Sequence, residues 1–195
     1  MITPTYQIAV APVITAFEEI GVAYHISGSV AMSAHGVPRS TLDIDLIADI
    51  RNEHVMSLVE RLTNDYYIDD DMILEAIAHK SSFNLIHFAT QYKVDVFVLK
   101  STVFAKTSFM RADVMPLIED PEAPFYFIAS AEDTILNKLI WYHDGGRLSD
   151  RQWTDVLNML KVQQQALDYD YLRHWAQDLG VLDLLESAID QSTFP

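Results

Sequence analysis

Three aspartates and a Gly-Ser pair are the residues whose types and spacing could do chemistry. In the run Leu42-Asp-Ile-Asp-Leu46 the acids Asp43 and Asp45 stand two apart, so in a strand both project from one face. Leu42, Ile44 and Leu46 then take the other face and can pack into a core. Adjacent carboxylates repel each other, and a divalent cation relieves that repulsion. Mg²⁺ in particular favours a few carboxylate oxygens together with substrate phosphates. A solvated strand face is the commoner explanation of a bare Asp-x-Asp. Gly28-Ser29, separated from Asp43 by thirteen residues, falls where a short strand meets a short helix, a junction that favours an anionic phosphate. The glycine lets the backbone approach a ligand closely, and the Ser29 hydroxyl adds a donor. The third acid, Asp95, lies within the apolar run Val94-Asp-Val-Phe-Val98, where an ionised side chain is costly unless paired or metal-bound. Its bland reading is a partner for Lys93. Together the parts are far more specific than any one of them.

The elements that must hold these residues can be read from spacing. Val13, Ile14, Phe17 and Ile20 recur at helical intervals before Gly21. Residues 22–27 read as a strand, residues 30–35 as a short helix stopped by Gly36 and Pro38, and residues 41–48 as a strand. Asn52 then caps a helix with the stripe Val55, Leu58, Val59 and Leu62. Asp69-Asp70-Asp71 reads as a solvated acidic loop. Residues 82–88 and 92–99 form two strands joined by a hairpin-length loop. Residues 116–124, with three prolines and three acids, form a linker between a first unit over residues 1–115 and a helical unit over residues 125–195. Ser130 opens the first helix of that unit, and Ile135, Leu136, Leu139 and Ile140 give it an apolar face that Lys138 interrupts. On spacing alone, Lys138 is a snorkelling lysine or a residue with a task.

Composition limits the partners. The chain of 195 residues has 28 acidic and 13 basic residues, a net charge of −15, half apolar residues and no cysteine. That length and apolar share suit one domain, or a domain with a small appendage, and exclude wholesale disorder. Disulfide scaffolds, Cys-type zinc sites and thiol catalysis are excluded, and a cytoplasmic location is expected. The basic residues form no cluster of three or more, so no nucleic-acid groove or anionic membrane surface announces itself. The uncharged stretches 1–17 and 20–38 lack a basic leader and are too broken by Pro, Gly, His and Ser to span a bilayer. No membrane association is expected.

The pattern Gly28-Ser29, Asp43-x-Asp45, Asp95 resembles the DNA polymerase β-type nucleotidyltransferase superfamily. Gly28-Ser-Val-Ala, His35-Gly36, Arg39-Ser-Thr-Leu-Asp and Ala131-Glu-Asp-Thr-Ile-Leu-Asn-Lys-Leu are similar to the compact bacterial nucleotidyltransferases of the abortive-infection and toxin–antitoxin-like type. The likeness spans roughly residues 22–160. Gly28-Ser29 stands where many relatives carry Gly-Gly. The resemblance implies an α+β fold: a nucleotidyltransferase-like mixed β-sheet with flanking helices, followed by a C-terminal helical bundle. It implies that Asp43, Asp45 and Asp95 are both catalytic residues and ligands of two Mg²⁺ ions, with Mn²⁺ as a substitute. Gly28, Ser29, Arg39, Thr41 and Lys138 would bind the nucleotide, Lys138 reaching the triphosphate from the helical unit. An NMP group would move from an NTP to an acceptor hydroxyl with release of pyrophosphate.

The acceptor is open at this stage: a tRNA end, a protein hydroxyl or a small molecule. The toxin-like branch implies a cognate antitoxin protein. A different class of reading is a catalytically silent nucleotide-binding regulatory module of a two-protein system. Three like charges kept together argue against it. Arg39 clamps a ligand or simply pairs with an acid, and the charged run Arg147, Asp150, Arg151 and Asp155 reads as a solvated loop with salt bridges.

Overall fold

A computed structural model describes residues 5–118 and 120–193. Seven strands form one mixed sheet in the order β3-β4-β5-β2-β1-β7-β6. They are β1 (Tyr24–Ser27), β2 (Asp43–Ala48), β3 (Tyr66–Tyr67), β4 (Ser82–His87), β5 (Lys93–Val98), β6 (Asp113–Pro116) and β7 (Phe125–Ile128). The helices are α1 (Thr5–Glu19), α2 (Gly28–Ala34), α3 (Val55–Leu62), α4 (Asp70–His79), α5 (Val103–Met110), α6 (Ala131–Asp144), α7 (Asp150–Gln163), α8 (Tyr169–Asp178) and α9 (Leu182–Thr193).

The alternation of β2 and β5 divides the sheet into an apolar and a polar face. Ile44, Leu46, Val94 and Val96 are fully buried beneath a core that includes Val13 and Phe17 of α1 and Leu58 of α3. Asp43, Asp45, Lys93 and Asp95 take the opposite face. A second core unites α6 to α9 through Ile135, Leu139, Val156, Leu160, Leu172 and Leu185, and Met32 of α2 belongs to it. Helix α2 therefore follows directly from β1 and packs with the helical unit, which brings α6 toward the sheet's polar face.

Two sequence expectations need correction. The acidic run is not a loop: Asp69 is the N-cap of α4, its carboxylate accepting from the Met72 N–H at 2.8 Å, and Asp70 and Asp71 fill the first turn. Acids there complement the positive end of the helix dipole, which explains their clustering without a ligand. The chain beyond residue 125 is not wholly helical either. Phe125–Ile128 forms β7, which lies parallel to β1 with Ile26 opposite Ile128 and antiparallel to β6. Four residues following a proline-rich stretch carry too little periodicity to be read as a strand.

Candidate active site

The register of three strands assembles the site. β1 and β2 are antiparallel with Ser27 opposite Asp45, and β2 and β5 are parallel with Asp45 opposite Asp95 and Asp43 opposite Lys93. The three acids expected from the sequence thus share one face of adjacent strands. Ser27 ends β1, and Gly28 turns into α2 with φ +60. A Cβ built on Gly28 would overlap the Asp45 carboxylate and approach its Cγ to 2.7 Å. Glycine is required here by both its φ and its neighbour. Ser29 is nearly buried, and its hydroxyl has no protein partner among the described residues.

Electrostatics mark Asp45 as the strained member. Burial pushes its carboxyl up to about 6, and the charges of Asp95 and Asp43 add to the rise, while Lys138 and Lys93 oppose it. Its carboxylate makes no hydrogen bond or ion pair among the described residues. Lys93, by contrast, inserts its ammonium among the acids, 2.7 Å from Asp95 and 3.6 Å from Asp43. Its bond to Asp95 raises the Lys93 ammonium above its ordinary range. From the sequence, Lys93 is expected only as a partner of Asp95. The contact is present, and it extends to Asp43.

A divalent ion is tested by this donor set. Among the described residues no three His, Asp or Glu side chains group closely enough to hold an ion, and the Lys93 ammonium contacts both Asp43 and Asp95. The chemistry nevertheless fits a hard cation: three carboxylates on one face, one of them without a counter-charge in contact.

A cationic cluster stands on the helical side. Lys138 does not snorkel: it is 2% exposed, with Nζ 2.8 Å from Asp155 Oδ2 and 3.2 Å from Gln152 Oε1, both on α7. Arg39, from the loop after α2, forms an ion pair with the same Asp155 oxygen. Burial pulls Lys138 down to about 7, with repulsion from Arg39 and Arg151 in the same direction and attraction from Asp45 against it. Arg39 is likewise lowered by burial and by Arg151, while Asp45 raises it. Asp155 therefore does not belong to a solvated loop. It is buried on the same stripe of α7 as Met159, and a carboxylate on a buried stripe was the signal in the sequence.

Thr41 is the candidate least joined to this group. It precedes β2, and its hydroxyl is bonded to the Asp43 backbone, donating to the carbonyl at 2.9 Å and accepting from the N–H at 3.2 Å. It lines a separate cavity of about 270 Å³ with Tyr6, Ser33, Arg39 and Tyr92.

A further cavity of about 260 Å³ borders Asp45 and Ser27 and runs between β5, α5 and α6. Its aromatic wall is Phe97 and Trp141, whose ring centroids are 6.2 Å apart at 34°. Nothing in the local spacing of the sequence marked it, because its lining comes from β1, β2, β5, α5 and α6 together with loop residues.

No family model matches the chain, and no curated protein is similar to it in sequence. Solved structures do match. The crystal structure of ANT(2'')-Ia in complex with adenylyl-2''-tobramycin is 13% identical and has a TM-score of 0.57 over 90% of this chain and 97% of that one. The solution structure of ANT(2'')-Ia, an antibiotic-resistance factor, is 15% identical with a TM-score of 0.51, over 92% and 90% of the two chains. An antigenic nucleotidyltransferase-like protein from Paracoccidioides brasiliensis is 14% identical with a TM-score of 0.51, over 94% and 92%. At these identities the likeness is one of architecture. The mixed sheet and the helices packed over its acidic face are a nucleotidyltransferase-like fold.

Proposed function

We propose that this chain is a Mg²⁺-dependent nucleotidyltransferase of the cytoplasm, moving an NMP group from an NTP to an acceptor hydroxyl. The observation that carries the reading is the register of Asp45 opposite Asp95, with Asp43 on the same face and Gly28 against the Asp45 carboxylate. A fold needs no such concentration of acid, and the rise of the Asp45 carboxyl, from burial first and then from the neighbouring Asp95 and Asp43, supports a site that takes a counter-charge.

The residues divide the work. Gly28 leaves room for the Asp45 carboxylate against the start of α2, and Ser29 offers a phosphate a free hydroxyl. Lys138 and Arg39, held by Asp155, supply positive charge toward the triphosphate. Mg²⁺ held by Asp43, Asp45 and Asp95 would offset charge on the phosphates and favour ionisation of the acceptor hydroxyl. The acceptor oxygen forms a bond to the α-phosphorus, the bond from that phosphorus to the β-phosphate oxygen breaks, and pyrophosphate leaves. Asp95 takes the hydroxyl proton. Positioning and charge stabilisation are the main sources of rate in such a transfer.

Lys93 favours a second reading, a nucleotide-binding module without turnover, because its ammonium already balances Asp43 and Asp95. Purified protein incubated with Mg²⁺, α-labelled NTPs and fractions of RNA, protein and small molecules separates the two. Pyrophosphate release with label in one fraction supports the enzyme. Saturable NTP binding without release supports the module. Label in protein or tRNA would favour the toxin-like branch and its antitoxin partner.

A further inference from the structure

The aromatic cavity beside Asp45 has a position and a lining that say what it takes. Resting on the nucleotidyl-transfer reading, we infer that it is the acceptor site and that the acceptor is a compact, uncharged hydroxyl compound with an apolar ring.

Position comes first. Transfer at phosphorus proceeds in line, so the attacking hydroxyl enters opposite the departing pyrophosphate. The cations that would receive the pyrophosphate, Lys138 and Arg39, gather around Asp155 on α7. The cavity is lined from other directions, by the end of β5, by α5 and by the Asn137, Ile140 and Trp141 side of α6. It touches none of Arg39, Lys138 and Asp155, yet it does touch Asp45. A hydroxyl held in it therefore meets the α-phosphorus from the side away from the cations.

Lining comes second. Phe97, Phe104, Ile140, Trp141 and Leu179 are among its apolar liners, with Asn137 beside them. Phe97 and Trp141 form a tilted aromatic pair, and Trp141 keeps 38% of its surface exposed for a ligand to cover. Two of the polar liners are already engaged: the Thr102 hydroxyl caps α5, and the Ser108 hydroxyl donates to the Ala105 carbonyl at 3.2 Å. Asn137 retains a free amide among the described residues. Asp45 and Lys100 are the charged liners, so no set of carboxylates waits for a polyamine. The volume of about 260 Å³ is below the roughly 300–1,000 Å³ of drug-sized pockets, which suits one ring system.

The group transfer balances without a further reactant. The acceptor O–H loses its proton to Asp95, its oxygen joins the α-phosphorus, and the anhydride bond releases pyrophosphate.

The test uses the whole chain and three probes: 2-(1-naphthyl)ethanol, tobramycin as a polycation, and a non-hydrolysable ATP analogue. Direct binding is measured by calorimetry for the wild type, Trp141→Ala and Ile140→Asp. The inference expects the naphthyl alcohol to bind the wild type and to lose about tenfold or more in affinity in both variants. The ATP analogue should bind all three equally, and tobramycin should bind more weakly than the alcohol. Loss of ATP-analogue affinity in Trp141→Ala with the alcohol unaffected would make this the donor's base pocket and overturn the inference. Tighter binding of tobramycin, or no binding of the alcohol to folded wild type, overturns it too. If the alcohol behaves as expected while no NTP binds at all, the transfer reading fails, and with it the acceptor assignment, although the cavity keeps its ligand class. Trp141 is partly exposed, and circular dichroism confirms that each variant is folded before it is scored.

Discussion

Gly28 and Asp45 are packed so closely that no side chain fits between them. A Cβ at residue 28 would come within 2.7 Å of Asp45 Cγ, and the backbone there is already left-handed at φ +60. Two separate penalties follow for any substitution, one from the collision and one from the backbone. Gly28→Ala should abolish binding of ATP and lower the thermal midpoint. In an Asp45→Ala background the collision is relieved, and the remaining destabilisation should fall to about 1–2 kcal/mol for the left-handed residue alone. Equal losses in the two backgrounds, read by urea denaturation, would show that the contact is not close in solution.

Asp45 gives a pH-dependent prediction. Its carboxyl lies near 6 in the folded protein, against an ordinary value near 3.9 in the unfolded chain. Between those values the native state holds more proton than the unfolded state, so metal-free stability declines as pH rises from about 4 to about 6. Asp45→Asn removes that decline. The variant should be inactive yet more stable than wild type at pH 8, by up to about 3 kcal/mol, with the difference vanishing near pH 4. Urea midpoints of both proteins at pH 4 and 8, in chelator, check the sign.

Lys93 competes with any cation for Asp95 and Asp43. Lys93→Met removes the ammonium and keeps much of the stem, so Mn²⁺ should bind severalfold more tightly, with the gain shrinking in high salt. Electron paramagnetic resonance of free Mn²⁺ measures it directly. An unchanged affinity would mean that these two acids do not hold the ion.

The proposed function gives Lys138 two duties. Lys138→Met should weaken NTP binding by about 1.5–3 kcal/mol if the ammonium meets a phosphate. Its burial against Asp155 adds a loss of stability that the sequence alone did not foresee. Breaking a buried pair costs about 3–5 kcal/mol, and here less, because Arg39 still faces the same carboxylate. The double variant Lys138→Met, Asp155→Leu should recover much of the stability and none of the NTP affinity. Recovery of both would assign Lys138 to the fold only.

What was legible followed the range of the information. Asp43 and Asp45 share a face because a strand repeats every two residues, and Asp95 stood out as an acid in an apolar run. Both are local facts. The pairing of Asp45 with Asp95 spans fifty positions and depends on which strands become neighbours, which no local period records. Lys138 appeared as a break in an apolar face, but its partner Asp155 was hidden in a charged run beside Gly145 and Gly146. Only the packing of α7 on α6 buries it. The α4 helix is hard to read locally because the three acids that cap and open it, Asp69 to Asp71, have the composition of a loop.

The strand β7 carries a consequence for how this chain can be taken apart. It is the parallel neighbour of β1, and the Ala129 N–H donates to the Ile26 carbonyl at 2.8 Å, one residue before Ser27 and two before Gly28. His35, at the end of α2, bonds through its Nε2 to the Ala129 carbonyl at 2.7 Å. A fragment ending at residue 124 would keep every aspartate of the site and still bare the flank of β1, an open edge that invites pairing with other chains. Recombination with another helical unit must therefore carry the hairpin of β6 and β7 along with it. The piece that could be exchanged begins near Asp113, inside the sheet, rather than at the prolines where the eye would cut.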